Sequence, residues 1–475
     1  MLLAGAVGST IHNTTLFRTQ GYGIYTSAPH TRISSALVGA STAGYVSWYG
    51  IVIRPSAAYT TVSDSIVGRV LTYDAIIVTA PHCRLVNLLV GVGPTGEAFP
   101  IAKVGIYATA TAQNISLVNV VQGNAQWDGL RTAAPMTSVR NSSFGLAPQG
   151  NQPFAYQAGD NYQCGVWVMP TAVDSTIDNC TIGTSRMQGL LISAPRSTIS
   201  NTTVGLLSGS GVMTSGSCSV PIQTLAQCSA AAAVLGLSDV TASNDAHTSG
   251  STGNPPWCYV YASGSSRDLR FNRNGLNTGA CSASKQCVCD RPRWSFLEGI
   301  YVQRTAHHTT LASITVGYAG RTMVYVEAAH TTIVDAFVGL ERASGNPAGG
   351  SAGGVVFTAT ADNASLHSAT IGNCRGGDGL QVSSSARLHD IHVGFTALGV
   401  SAPVSSNGVY IRSTAVVDVL TNITIGNCEY TGLRVAAPNT RIYDVFVGMT
   451  RSGPGERMLL ISGHHCCVGP RLTAC

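Results

Sequence analysis

Apolar and polar residues alternate along this chain in bursts of three or four positions, each closed by turn residues. Over residues 432–448 the order is Leu433-Arg434-Val435, a turn at Ala437-Pro438-Asn439, then Ile442-Tyr443-Asp444 and Val445-Phe446-Val447-Gly448. Residues 189–205 repeat it with Leu190-Leu191-Ile192, Ala194-Pro195, Ile199, Asn201 and Val204. Residues 23–39 repeat it with Ile24-Tyr25, Ala28-Pro29, Ile33 and Val38. Alternation over so few positions predicts short β-strands, three to a unit, with turns between them.

The unit recurs from Val7-Gly8 to Val447-Gly448. Gly183, Gly205, Gly317, Gly339, Gly372, Gly394, Gly426 and Gly448 are separated by 22, 112, 22, 33, 22, 32 and 22 residues. Such a period marks a repeat architecture. About 22 residues make one coil of three short strands, and parallel strands joined this way wind right-handed. The position four before the glycine is Asp or Asn in ten cases: Asp64, Asn87, Asn119, Asn141, Asn179, Asn201, Asp335, Asp390, Asn422 and Asp444. Ala4, Ser35, Ser313 and Ser368 fill the others. Asn and Asp tolerate a left-handed backbone, which a sharp turn between two strands needs. Stacked about 4.8 Å apart, they are expected to form a ladder. The Val/Ile before each glycine is expected to stack as core, although Gln122 and Phe144 interrupt that column.

Two kinds of coil alternate. One carries an Ala-Pro turn, as at Ala80-Pro81, Ala134-Pro135, Ala194-Pro195 and Ala437-Pro438, and is followed by a longer link. The other ends in Ile371-Gly372-Asn373-Cys374 or Ile425-Gly426-Asn427-Cys428 and runs straight on. The long links at 146–164, 340–353 and 395–407 should crowd one side of the solenoid, where loops on a rigid scaffold carry function.

The Gly-Val/Leu-x-Val … Asn/Asp-x-x-Val-Gly unit, over roughly 4–205 and 296–461, resembles the right-handed parallel β-helix of pectin-lyase-like proteins. The resemblance implies an all-β solenoid of about 14 rungs of about 22 residues, in parts 1–205 and 296–461. A small disulfide-rich module at 206–295 would interrupt it, and an irregular tail at 462–475 would follow. It does not single out an activity, because the fold hosts lyases, hydrolases, epimerases, adhesins and structural proteins.

The step of 112 residues holds Cys218, Cys228, Cys258, Cys281, Cys287 and Cys289, six of the 14 cysteines. An even count in a compact stretch reads as three disulfides in an oxidising compartment, with the pairing open. A zinc site fits less well, since Cys287-Val288-Cys289 is not a CxxC and the nearby histidine is His247 alone. Leu235-Gly236-Leu237, Pro255-Pro256-Trp257-Cys258-Tyr259 and Cys281…Cys287-Val288-Cys289 resemble a small cysteine-rich module of algal and protist secreted proteins. That likeness implies a location rather than an activity. Cys180, Cys374 and Cys428 read as small buried residues.

Composition narrows the function classes. Charged residues are 10% of the chain against about 25% in an average domain. The net charge is +5, and Lys103 and Lys285 are the only lysines. No basic run tracks a phosphate backbone, so nucleic acid is not expected as a partner. No apolar run reaches the ~18 residues of a membrane span. The start lacks a secretory leader and reads as the end of a repeat unit. The expectation is therefore an extracellular or cell-surface protein, present here as a fragment or with a leader and cap upstream. With no cap visible at either end, self-association through open strand edges is expected, with other copies or flanking parts of a larger surface protein as partners. Of seven Asn-x-Ser/Thr sequons, Asn141, Asn179, Asn201 and Asn422 fall in the turn column. Asn13, Asn114 and Asn363 remain as candidate glycosylation sites.

In each first strand the residue between two inward aliphatics should face out. That column is Tyr25, Val52, Ile77, Tyr107, Arg131, Trp167, Leu191, Tyr301, Tyr325, Val356, Gln381, Tyr410, Arg434 and Leu460. It contains no carboxylate, whereas glycoside hydrolysis ordinarily uses a pair. Asp128 and Asp378 precede their glycines but lie far apart. Asp160, Asp174 and Asp178 read as loop and turn residues. The aromatics suit stacking on sugar faces, and the candidate glycan-binding set is Tyr107, Arg131, Trp167, Tyr301, Tyr325, Tyr410 and Arg434. Strand propensity alone would also place aromatics there. Adjacent His307 and His308 point apart and cannot chelate as a pair. His464-His465-Cys466-Cys467 lies beyond the repeat, so no metal or cofactor is expected. The leading expectation is a structural, adhesive or glycan-binding protein for polysaccharide or cell-wall glycan. The alternative is a polysaccharide-processing lyase, hydrolase or epimerase; if catalytic, the chain would be a polysaccharide lyase or glycoside hydrolase.

Overall fold

A computed structural model describes residues 5–461. Longer gaps fall at 146–162, 292–296, 343–351 and 450–458, and shorter ones at 42–43, 95–96, 184, 186, 206–208, 214–217, 219–221, 223, 235–236, 246–249, 264–265, 274, 318, 341, 396–400 and 439. The His464–His465 and Cys466–Cys467 pairs lie outside the described residues. The chain divides into two compact units, Leu207–Arg293 and the remainder.

The larger unit is a right-handed parallel β-helix. Thirteen parallel strands, from Ile24–Thr26 to Leu433–Val435, make its first face. Fourteen copies of the second strand, from Thr10–His12 to Ile442–Met449, line the other face within a 22-stranded sheet. Leu190–Ile192 pairs directly with Glu298–Val302, so the stack continues in register across the insertion. Inward aliphatics from every coil form one continuous core. Phe144 and Gln122 are both buried in it, and the Gln122 Oε1 has no hydrogen-bond partner.

The Asn/Asp column is the bend between second and third strands. Every described bend residue from Ser35 to Asp444 has φ between 49° and 58°. The ladder forms: Asn87 donates to Asp64 at 2.8 Å, Asn119 to Asn87 at 3.1 Å, Asn179 to Asn141 at 2.8 Å and Asn422 to Asp390 at 2.9 Å. Asn201 departs from it and donates to Asp178 at 3.0 Å. Asn13, with φ 48°, extends the column. Thr10–His12 and Thr15–Leu16 pair with the next coil, Phe17 stands where the glycine would, and Arg18 takes the positive φ. Asn13 therefore shares the bend conformation of Asn141, Asn179, Asn201 and Asn422.

The alternation of coils has a backbone cause. In one kind the glycine itself is left-handed, as at Gly39, Gly91, Gly145, Gly205, Gly339 and Gly394. In the other kind the following residue takes that conformation, as at Arg69, Asn124, Asn373 and Asn427. Asn124 and Asn427 donate to the carbonyls of Gly91 and Gly394, at 2.8 and 3.0 Å. A Cβ on Gly91 would collide with the Gly123 carbonyl oxygen.

A second left-handed column follows each buried alanine: His30, Tyr59, His82, Asn114, Met136, Asp174, Arg196, His308, His330 and Asn363. Where the next residue is Thr or Ser, its hydroxyl closes the turn by donating to that alanine's carbonyl, as from Thr31 to Ala28, Thr60 to Ala57 and Thr309 to Ala306; Cys83, Ile115 and Ala364 stand there in three other coils. The underlying motif is Ala-x-x-Thr/Ser, of which Ala-Pro is one form. Parts of the links are also ordered. Val46, Val70, Ile101 and Ala125 join in single parallel bridges, as do Cys374, Val404 and Cys428.

One expectation fails. Leu459–Ile461 is not a further copy of the first strand. It pairs antiparallel with Val445–Val447, so Leu460 lies beside Phe446 in the second sheet. The parallel pattern ends there because the strand arrives from the opposite direction.

The smaller unit has a five-stranded sheet in the order Gly209–Met213, Lys285–Arg291, Trp257–Ser263, Ser266–Asn272 and Ser243–Asn244. Helix Leu225–Val234 is tied to it by Cys228–Cys258. Cys218–Cys289 and Cys281–Cys287 complete three disulfides. The Asp245 carboxylate is buried and accepts from Tyr259 Oη, Asn272 Nδ2 and Asn277 Nδ2.

Candidate functional site

The outward column forms on the first sheet in unbroken register from Tyr25 to Arg434. The candidate residues fall into three islands on it. Tyr107, Arg131 and Trp167 occupy adjacent strands, Tyr301 and Tyr325 another pair, and Tyr410 and Arg434 a third. Leu191 separates the first two islands, and Val356 and Gln381 the last two.

Each island is differently engaged. The Tyr301 and Tyr325 rings meet edge-on at 5.5 Å, and Tyr301 Oη donates to Glu327 at 2.8 Å. Burial first, then that carboxylate, pushes the Tyr301 phenol up. The Arg434 guanidinium lies 4.6 Å from the Tyr410 ring centre. Trp167 Nε1 donates to Ser193 Oγ at 3.2 Å, which in turn donates to Gln303.

The first island belongs to a larger structure that sequence reading missed. Tyr22 stacks on Tyr49 at 5.9 Å, and Tyr49 on Tyr73 at 4.8 Å. Lys103 Nζ lies 4.5 Å from the Tyr73 ring centre and 5.2 Å from that of Trp127. Arg131 then bridges Trp127 at 5.5 Å and Trp167 at 4.9 Å. Rings and cations thus alternate along one edge of the first sheet. Tyr22, Trp48 and Trp127 remain 41%, 45% and 37% exposed. The signal for Tyr22, Trp48, Tyr49, Lys103 and Trp127 was their place one or two positions before the first-strand glycine, which Ala75 replaces after Tyr73.

Carboxylates occupy the same edge, also undetected as a group. Asp74, Asp128 and Glu298 are buried there. Asp74 accepts from the Val104 N–H at 3.0 Å, Asp128 from Cys164 N–H at 2.8 Å, and Asp378 from Asn407 N–H at 3.0 Å. Each satisfies a backbone donor of the next coil. Asp128 also binds Arg131, whose Nε donates at 2.7 Å, holding the guanidinium between the two tryptophans. Burial pushes the Asp74 and Asp128 carboxyls up, against the Val104 N–H and the Arg131 charge respectively.

The remaining candidates disperse. Asp174 pairs with Arg196 in the second turn column, and Asp178 accepts from Ser200 and Asn201 on the second sheet. Asp160 lies outside the described residues. His308 stacks on His330 at 4.6 Å, while His307 stands edge-on to His308. Among the described residues no three His, Cys, Asp or Glu converge as a metal would require. Of the sequons, Asn114 and Asn363 also sit in a left-handed column, and Asn114 Nδ2 lies 3.2 Å from His82 Nδ1.

No family model matches the chain, and no curated relative does. Among solved structures it is similar to the A-module of an Azotobacter vinelandii mannuronan C-5 epimerase, at 9% identity over 91% of this chain and 92% of that one, with a TM-score of 0.48. It is also similar to a Streptococcus pneumoniae surface protein and adhesin, at 8% identity, 90% and 91% coverage and a TM-score of 0.39. A pectate lyase matches at 10% identity, 88% and 71% coverage and a TM-score of 0.31. These are β-helix proteins of unlike activity, so function has to be argued from the site.

Proposed function

We propose that this is an extracellular or cell-surface protein that binds polysaccharide along the aromatic and cationic edge of its first sheet. The observation that carries this reading is the continuous run of Tyr22, Tyr49, Tyr73, Lys103, Trp127, Arg131 and Trp167, of which Tyr22 and Trp127 stay 41% and 37% exposed. Flat rings on a rigid sheet offer apolar area to sugar faces at little entropic cost. Lys103 and Arg131 supply donors for hydroxyl or carboxylate groups. The oxidised cysteines support a location outside the cytosol. No helix among the described residues is long and apolar enough to cross a membrane. Asn13, Asn114 and Asn363 are the proposed glycan-bearing asparagines.

Binding is favoured over catalysis because Asp74, Asp128 and Asp378 on this edge cap backbone donors, and Glu298 is held by Gln188 and Arg321. Asp74 is 7% exposed and Asp128 is 0% exposed. Neither stands free over the face where a glycosidic bond or a uronate proton would lie. A glycan array on the purified protein, with the hits assayed for release of reducing or unsaturated ends, tests both halves. Replacing Trp127 and Trp167 together with Ala should weaken the best ligand by about tenfold or more. Unchanged affinity would remove the strip as the binding site, and turnover would restore the enzymatic alternative.

A further inference from the structure

The second sheet carries a separate groove of about 510 Å³, lined by His308, His330, Thr332, Asn363, Ser365 and Arg387. Register builds it. Thr332 pairs with Ser365 and Ser365 with Arg387, giving one column over three coils. His308, His330 and Asn363 stand beside it in the left-handed turn column. The two imidazoles are parallel, 4.6 Å apart.

The donor set is one-sided. Among the described residues the lining holds a guanidinium, two imidazoles, an amide and two hydroxyls, and no carboxylate. The carboxylates on the strands and turns of these coils have partners of their own: Asp335 pairs with Arg342, Asp362 accepts from Ser385, and Asp390 accepts from Ser368 and Asn422. The described ion pairs use other arginines and leave Arg387 out.

We propose that this groove binds an oxyanion, the sulfate or carboxylate of an acidic glycan. Arg387 supplies paired N–H donors matched to such a group. Each imidazole offers an N–H, and Thr332, Ser365 and Asn363 add neutral donors at the same mouth. Asn363-Ala364-Ser365 is also a sequon, and both its asparagine and its serine line the groove. A glycan on Asn363 would fill the site, so modification and anion binding exclude one another.

The test uses full-length protein from a host that does not N-glycosylate, with heparin, polygalacturonate and dextran as probes. Binding to heparin, to polygalacturonate or to both, with none to dextran, is expected; which of the two acidic probes binds tells sulfate from carboxylate. Arg387→Gln and His330→Gln, both at exposed positions, should each lower that affinity, the arginine change by about tenfold. Arg84→Gln, exposed on the same sheet but away from the groove, should leave it unchanged. If both groove variants bind like the wild type, or if the wild type binds neither acidic probe, the proposal is overturned. Loss of acidic-glycan binding in Trp127→Ala alone would assign the anion to the aromatic strip, ending this proposal while leaving the earlier reading intact.

Discussion

The two units reach stability by opposite routes. The β-helix holds Cys83, Cys164, Cys180, Cys374 and Cys428 as free thiols and is organised by register, with one core shared by every coil. The smaller unit has a core of about a dozen residues in one cluster, and its six cysteines are oxidised. A repeat stack adds buried area with each coil and needs no cross-link. A unit with so small a core gains more from cross-links that constrain its unfolded chain.

Reduction should separate the units most strongly. Each disulfide of a small domain contributes about 2–5 kcal/mol, so dithiothreitol should unfold Leu207–Arg293 while the helix keeps its β-sheet circular dichroism. Peptide-resolved alkylation reads this out. Cys228 and Cys258 should label after reduction alone. Cys83 and Cys180, whose thiols burial pushes up to about 11, should label only after denaturation. Labelling of both sets together would mean that the units unfold as one.

Within the helix the next largest effect belongs to the closing glycines. Gly91→Ala combines a left-handed backbone with collision against the Gly123 carbonyl and should cost about 3 kcal/mol or more. Gly8→Ala meets the same φ with open space around it and should cost about 1–2 kcal/mol. Equal thermal shifts would remove close coil stacking as the reason for glycine. Asn179→Ala loses both its bond to Asn141 and an asparagine's tolerance of φ 51°, about 2 kcal/mol together. Asn179→Gly should recover the backbone part only.

These residues also mark how far sequence carries. The coil and the bend ladder were legible because glycine and Asn or Asp recur at fixed offsets, and the outward column because inward aliphatics flank it. Asn13 was hidden because Phe17 replaces the glycine that anchors the alignment. The second left-handed column was hidden because His, Tyr, Met, Asp, Arg and Asn share it. Only the alanine two residues before is constant there, with Thr or Ser following in seven of the ten coils named. The aromatic and cationic edge was missed for another reason. Tyr73, Lys103 and Trp127 share a position three residues before their first strands, where residue type changes from ring to cation, and Arg131 reaches them from the outward column. Leu460 was misplaced because two aliphatic neighbours look alike whichever way a strand runs.

The smallest effect gives the finest comparison, between two sets of carboxylates in the same helix. Asp74 is buried and its carboxyl is pushed above the ordinary 3.8, chiefly by loss of water. The folded state therefore holds its proton to higher pH than the unfolded chain does. The stability linked to this group is fully present below 3.8 and is lost as pH rises through the folded value. Asp178 lies at the surface, where hydrogen bonds from Ser200 and then Asn201 pull its carboxyl below 3.8. Its contribution is present above 3.8 and is lost as pH falls through the folded value. Asp74→Asn keeps an oxygen for the Val104 N–H and removes the buried charge, so it should raise the melting temperature at pH 7 and leave it unchanged at pH 3. Asp178→Asn should lower it at pH 7, with the difference shrinking on acidification. Melting curves of both variants at the two pH values decide the matter. Upward shifts in both at pH 7 would show that burial governs both sets, and downward shifts in both that hydrogen bonding does.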